Sequence, residues 1–417
     1  MAYLKRITDT ELERKLQAVG AILIRGAKAC GKTESARQYS KSVLEVDTDP
    51  QVPLLIETAP SRLLLGNSPR LLDEWQEQPI LWNLVRHEVD KRAIPAQFIL
   101  TGSANPDEKA KKHSGAGRFT TLDMRTMSWQ ELGYSTGKIS LKVLLEGVRI
   151  DVQDETTDLE FIIEKIIIGG FPGLINKSIS QATDINRAYI NLLAEADMSR
   201  VSDMKRDPAK VLNLLRSLAR NTATTIETTS IEADIFEKEN VRISRPTIYD
   251  YLDTLERLMI VENQPAWNTH LRSSAQLRKS SKRHFTDVSL AVAALGATKK
   301  SLLADLKFTG FLFESLAVHE LRVYAQANDA SVFHYRDSTN LEVDAIVQKY
   351  SGEYAAFEIK LGIGQIDAAA TNLKKFASVI DTSKTQPPKS LNIITGTGMS
   401  FTRTDGINVI SLASLGV

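Results

Sequence analysis

The chain has 417 residues with 42% hydrophobic and 25% charged side chains, a size that exceeds one ordinary core and implies several units. A formal net charge of +1 excludes a global attraction to nucleic acid or anionic lipid, so any such partner is held by a local patch. The single cysteine, Cys30, excludes an internal disulfide and a cysteine-built zinc site.

In chain order, the start "MAYLKRITDTELERKL" is charged and amphipathic, and no later run reaches the roughly 18 apolar residues of a membrane span. The expectation is a cytoplasmic protein without a membrane partner. "AILIRGAKACGKTESARQYS" then reads as an apolar strand, a loop and a helix. The loop frames four residues between Gly26 and Gly31 and continues with Lys32 and Thr33, the Walker A spacing. Glycines let main-chain N–H groups wrap phosphate, the Lys reaches the β- and γ-phosphates, and the hydroxyl meets Mg²⁺. The predicted nucleotide contacts are Gly26, Ala27, Lys28, Ala29, Cys30, Gly31, Lys32, Thr33 and Glu34, with ATP and Mg²⁺ as the cofactors. No base stands beside Cys30, so it reads as a small tolerated side chain whose alkylation would block the loop by bulk.

Next, "LLDEWQ" places Asp73 and Glu74 after a short apolar run, in the order of a metal-holding Asp followed by a water-activating Glu. "AQFILTGSAN" is a second apolar strand whose polar end, with Ser103, is a candidate γ-phosphate sensor. The Gly-rich "HSGAGRF" supplies Arg118, a candidate finger on a neighbouring subunit's nucleotide, which would require a homo-oligomer.

Beyond the turn "GGFPG", helical periodicity in "INRAYINLLAEADMSR" predicts a small lid on the nucleotide unit. "VRISRPTIYDYLDTLERLMIVENQPAW" is a Ser-capped, Pro-started helix entering an apolar strand, a succession that suits a winged helix. In a DNA reader, Arg245 and Thr247 would stand at the start of the recognition helix. Arg278, Lys279, Lys282 and Arg283 follow in a run without an acidic residue, a candidate phosphate-binding strip. "LEVDAIVQKYSGEYAAFEIKL" reads as two strands turning near Ser351–Gly352, which brings Asp344 close to Glu358, with Lys360 on the same face as Glu358. Two carboxylates and a Lys suit metal-dependent phosphodiester cleavage, and the helical "GFLFESLAVHELRVYA" aims Glu314 at the same place.

Taken in order, "GAKACGKTESARQ", "LLDEWQ", "FILTGSA", "HSGAGRF…MRTMSWQELG", "GGFPG", "KRHFTDVSLAVAALG", "GFLFESLAVHELRVYA" and "HYRDSTNLEVDAIV…AFEIKLG" resemble prokaryotic AAA-type ATPases that carry a C-terminal domain of unknown function. The likeness covers nearly the whole chain. It implies an α/β protein: a P-loop ATPase unit with helical lid over residues 1–204, a winged-helix-like segment over 205–268, and a unit similar to PD-(D/E)XK nucleases over 269–417. The expected function is Mg²⁺-dependent ATP hydrolysis acting on DNA, with branched or damaged DNA suggested by the nuclease likeness alone. The alternative is a nucleotide-dependent regulatory or defence switch whose nuclease-like unit is a protein-binding scaffold.

Overall fold

The computed structural model describes residues 3–102, 115–150, 152, 156–198, 206–268 and 280–417. Its amino-terminal part is a layered α/β unit. In order come α1 (Thr8–Ala18), β1 (Ala21–Arg25), α2 (Lys32–Tyr39), β2 (Ser42–Glu45), α3 (Gln51–Thr58), β3 (Arg70–Asp73), α4 (Ile80–Arg92), β4 (Phe98–Gly102) and β5 (Phe119–Asp123). The five strands form a parallel sheet in the order β2-β3-β4-β1-β5. β4 is the central strand with β3 and β1 on either side, and the uninterrupted apolar runs "AILI" of β1 and "FIL" of β4 are what a sheet covered on both faces requires. The loop after β1 and the end of β3 therefore emerge together at the carboxyl edge of the sheet, where α/β folds place their ligands.

The next stretch contains β6 (Ile139–Ser140), α5 (Leu141–Glu146), α6 (Leu159–Ile168) and α7 (Ile179–Leu192). Three further helices follow, α8 (Pro208–Arg220), α9 (Thr228–Glu239) and α10 (Arg245–Arg257), and then β7 (Val261–Gln264) and β8 (Lys282–Phe285). β7 and β8 pair antiparallel across residue 268, the position at which sequence patterning puts a boundary. α10 starts as expected: the Ser244 side chain accepts from Thr247 N, and a proline sits in the first turn.

The carboxyl-terminal part holds α11 (Val288–Leu295), α12 (Lys299–Ala304), α13 (Leu306–Ala327), β9 (Ala330–Arg336), β10 (Glu342–Lys349), β11 (Tyr354–Lys360), α14 (Ile366–Val379), β12 (Leu391–Thr395), β13 (Phe401–Thr402), β14 (Asn408–Ser411) and β15 (Leu415–Gly416). Six strands make a mixed sheet in the order β13-β14-β12-β11-β10-β9. The 22-residue α13 is buried along most of its length, including Phe313, Leu316, Leu321 and Tyr324, so it is a core helix with partners on several sides. One apolar cluster runs from α6 through α8, α10 and α11 into α13 and β11. The chain end returns to the middle, where β15 pairs parallel with β6. Among the described residues, no helix is long and apolar enough to cross a membrane.

The "GGFPG" turn joins these parts. Met127 N donates to Gly170 O at 2.7 Å, and Gly170 N donates to Asp287 Oδ2 at 2.8 Å. A Cβ on Gly170 would lie 2.3 Å from the Met127 carbonyl oxygen, where only glycine fits. Gly170→Ala is expected to lower stability by about 1–3 kcal/mol, the usual range for overpacking. A thermal melt superimposable on that of the wild type would refute this close approach.

Candidate functional site

The loop between β1 and α2 is fixed from below by contact between main chains. A Cβ on Gly26 would sit 2.2 Å from Met124 O and 2.7 Å from Cys30 Sγ, so this glycine permits the turn to press on the strand end. Gly31 has φ +106°, in the region that favours glycine, and α2 begins at the next residue. The first N–H groups of α2 have no intrahelical acceptor, the arrangement that suits an anion at a helix start. Lys32 is buried, and its ammonium donates to the carbonyls of Gly26 (3.0 Å) and Ala27 (2.9 Å), lying across the loop it serves. Ala27 is buried, whereas Lys28, Ala29 and Glu34 lie on the exposed side.

Cys30 corrects one expectation. Its thiol is buried and directed at the Met124 carbonyl 3.4 Å away, inside the apolar cluster of β1 and β4. Alkylation would have to open the core, so Cys30 is not a reagent-accessible plug for the loop. Its main chain is occupied as well, since Cys30 N donates to Ala27 O at 3.3 Å and Cys30 O accepts from Arg6.

Asp73 closes β3 beside the loop. Its Oδ1 accepts from Thr33 Oγ1 at 2.9 Å and from Thr101 Oγ1, which the pairing Asp73↔Thr101 of β3 and β4 places opposite it. The oxygen-only donors Thr33 and Asp73 are of the kind that Mg²⁺ takes, so the residues present fit that ion. Glu74 follows with φ +52°, a left-handed conformation that swings its carboxylate away from the strand line, and Gln76 Nε2 donates to it. Thr101 was thus the polar strand-end residue in contact with Asp73; Ser103 lies outside the described residues. Arg118 is placed at the other edge of the sheet. Its carbonyl accepts from Ala21 N at the start of β1, about 16 Å of strand away from the loop, and its side chain pairs with Asp90. Arg118 therefore stands at the opposite end of β1 from the loop of its own chain.

Several residues that no local pattern marks hold this loop. The Arg6 guanidinium, 4% exposed, donates to Cys30 O (3.0 Å) and Arg125 O (2.8 Å) and pairs with Glu131. From above, Tyr189 OH donates to Lys28 O at 3.2 Å, and Lys28 Nζ pairs with Asp197 at 3.3 Å. α7 and the turn after it therefore touch the loop directly.

A buried charge node lies just behind. Glu262 of β7 accepts from Arg125 (3.1 Å) and from Arg322 of α13 (2.8 Å). Burial alone would raise the Glu262 carboxyl, but the two guanidiniums outweigh it and hold the group down to about 2. Arg125 also donates to Gln326, and Gln326 donates to Asp123 O.

The second predicted cluster assembles as the strand pairing requires. The ladder Ala345↔Phe357 of β10 and β11 extends toward Asp344 and Glu358. Asp344 Oδ2 accepts from Ile359 N (2.8 Å) and Lys360 Nζ (3.1 Å), while Glu358 accepts from Lys360 (2.7 Å) and Asn372 (2.7 Å). Glu314 joins from α13. Lys282 overturns its expected place in a surface strip: its side chain is 2% exposed and its ammonium is turned inward onto Glu314, Glu342 and Asp344. Inside a packed interface it has no route to a DNA phosphate. Arg283 is half-buried and donates to Ile226 O at 2.6 Å, Arg245 is exposed and paired with Glu232, and Thr247 bonds the cap Ser244. Arg278 and Lys279 lie outside the described residues.

Burial and the nearby Asp344 push the Glu358 carboxyl up, to about 8, and the same causes raise Glu314. A carboxyl raised in the folded state contributes stability that is complete below its unfolded value near 4.3 and lost as pH rises through the folded value. The stability of the wild type relative to Glu358→Gln is thus expected to fall between about pH 4.3 and pH 8. Denaturant unfolding of both proteins across that range checks it, and parallel profiles would reject the buried protonated Glu358.

Residues 19–133 match the family described as an AAA domain, and residues 159–301 and 309–415 match two families described as domains of unknown function, DUF8612 and DUF4143. The chain is similar to the uncharacterized proteins Mb2031c of Mycobacterium bovis and Rv2008c of Mycobacterium tuberculosis, 23% identical over 364 residues covering 85% of this chain and 74% of each relative. Among solved structures, it is similar to the Walker-type ATPase PABY2304 of Pyrococcus abyssi, with 13% identity, 70% of this chain and 96% of that one covered, and TM-score 0.41. The Aeropyrum pernix ORC1 protein in complex with DNA also matches, with 13% identity, 72% and 94% covered, and TM-score 0.29. The stretch that matches the AAA domain family contains both the loop with Lys32 and Thr33 and the strand end with Asp73.

Proposed function

We propose that the protein hydrolyses ATP with Mg²⁺ and uses the cycle to alter how its other units hold DNA. The observation that carries the reading is the convergence of Lys32, Thr33, Asp73 and Thr101 at one sheet edge, held by hydrogen bonds between them and the loop. Lys32 and the loop amides bind phosphate, Thr33 and Asp73 hold the metal, and Glu74 orients and deprotonates the attacking water. When bound, Mg²⁺ supplies charge neutralisation on the phosphate oxygens. Arg118 is left the role of a finger reaching a neighbouring copy from its exposed edge, its pairing with Asp90 being of the weak, solvent-screened kind.

Three helices followed by an antiparallel two-stranded ribbon, α8 to β8, support the winged-helix reading, and α13 with β9–β12 and α14 supports the nuclease-like one. A DNA backbone would lie along the groove of about 340 Å³ whose lining includes Thr228, Thr229, Tyr249, Asn263 and Arg283, with Glu227 as its one acidic residue. Tyr249 is 60% exposed there, an aromatic face on which a sugar or base packs. Coupling would pass through Arg125, which follows the Met124 contact of the loop and shares buried Glu262 of the ribbon with Arg322 of α13. The rival reading, a nucleotide switch with a scaffold at its far end, draws support from the lysine-capped carboxylates.

Glu74→Gln is expected to keep ATP affinity within about threefold and to lower turnover by about 10²–10⁴, the usual contribution of a general base. Calorimetry and phosphate release measure the two; normal turnover would remove Glu74 from the role. Turnover with duplex, branched or single-stranded DNA and with RNA separates the readings. Stimulation by DNA that is lost in Tyr249→Ala supports the DNA reading, and indifference to every nucleic acid supports the switch. Glu262→Gln is expected to leave basal turnover intact and reduce the stimulation; equal loss of both would argue against a coupling node.

A further inference from the structure

Lys282 stands where two units meet. It belongs to β8 of the ribbon, while the carboxylates around it come from α13 and β10: Glu314 at 2.7 Å, Glu342 at 2.7 Å and Asp344 at 3.7 Å. A buried ammonium is costly unless carboxylates surround it, and here three do. The other side of the cluster is filled in the same way. Lys360 lies 3.1 Å from Asp344 and 2.7 Å from Glu358, Ile359 N donates to Asp344, and Asn372 donates to Glu358. Each of Glu314, Asp344 and Glu358 thus already accepts from a protein nitrogen.

A hard divalent cation needs several oxygen ligands at about 2.0–2.6 Å with their lone pairs directed at it, and it cannot share those lone pairs with an ammonium in the same place. Among the described residues, no group of three or more His, Cys, Asp or Glu side chains is arranged to hold a metal ion. The residues present therefore do not fit the metal that a nuclease-like fold implies. We infer that Lys282 is a built-in counter-cation that takes the divalent ion's place in the Glu314–Glu342–Asp344 cluster, so this unit binds no catalytic metal and cuts no phosphodiester. The same contact ties the ribbon to the carboxyl-terminal unit, and it does so whether or not the amino-terminal domain turns over ATP.

The test is Mn²⁺ binding to the full chain without nucleotide, followed by electron paramagnetic resonance of the free ion, in wild type, Asp344→Asn, Lys282→Met and the double variant. The wild type and Asp344→Asn are expected to bind Mn²⁺ alike, because Asp344 holds none. Lys282→Met, which keeps an unbranched side chain one atom shorter and removes the charge, is expected to gain one Mn²⁺ per chain that the double variant lacks. A folded Lys282→Met that gains no Mn²⁺ would overturn the idea that this ammonium displaces the cation. Should that variant fail to fold, the wild-type comparison still decides: Mn²⁺ taken up by the wild type and lost in Asp344→Asn, or Mn²⁺-dependent nicking of supercoiled DNA lost in Asp344→Asn, would overturn the inference.

Discussion

The contact of Gly26 with the Met124 carbonyl is the constraint on which the site depends. It lets the loop after β1 lie against the end of β5 without an intervening side chain, and so sets where the first turn of α2 points its N–H groups. Arg6 fastens the same junction by bonding the carbonyls of Cys30 and Arg125 at once, one on the loop and one on the segment after β5. Because its guanidinium is buried and its donors reach two carbonyls and the Glu131 carboxylate, it is a rigid strut rather than a surface charge.

That junction leads outward. Residues 124–131 touch the loop on one side and α13 and β7 on the other: Arg125 meets Glu262, Thr126 meets His319, and Trp129 N donates to Glu320. Buried polar contacts of this kind tolerate few geometries, since an unpaired partner in a dry interface is expensive. The segment next to the loop is thus held by the ribbon and by α13. α7 adds a second point of contact through Tyr189 and Asp197 on Lys28. At the far side, Lys282 fixes the ribbon to the mixed sheet. The three parts matched to separate families are therefore joined by charge as well as by the shared apolar core.

Legibility followed sequence distance. The loop Gly26–Thr33, the Asp73 strand end and the start of α10 were readable because each is built by neighbours: a phosphate cradle needs contiguous amides, and a helix cap needs a hydroxyl three residues before its partner. The approach of Asp344 to Glu358 and Lys360 was readable for the same reason, since one turn joins their strands. Thr101 was within reach, because a second parallel strand beside β3 puts a residue opposite Asp73, but strand order is not written in a single strand. Lys282 was misread because a run of basic residues looks solvated until something acidic packs on it.

By itself, then, the amino-acid order determined the arrangement that contiguous residues make: a glycine-framed loop with its Lys and Thr at a helix start, and a hairpin that brings two carboxylates to one lysine. Only the tertiary structure decided that Cys30 faces the core, that Arg118 lies at the far end of β1 from its own loop, and that Arg6 bonds the Arg125 carbonyl, Arg125 pairs with Glu262 and Lys282 with Glu314. The last three contacts join residues 119, 137 and 32 positions apart, respectively. Periodicity and spacing report which face a side chain takes within one element; which charges meet when elements pack is settled by the cost of burying an ion without its counter-ion, and that cost exists only once the faces have closed.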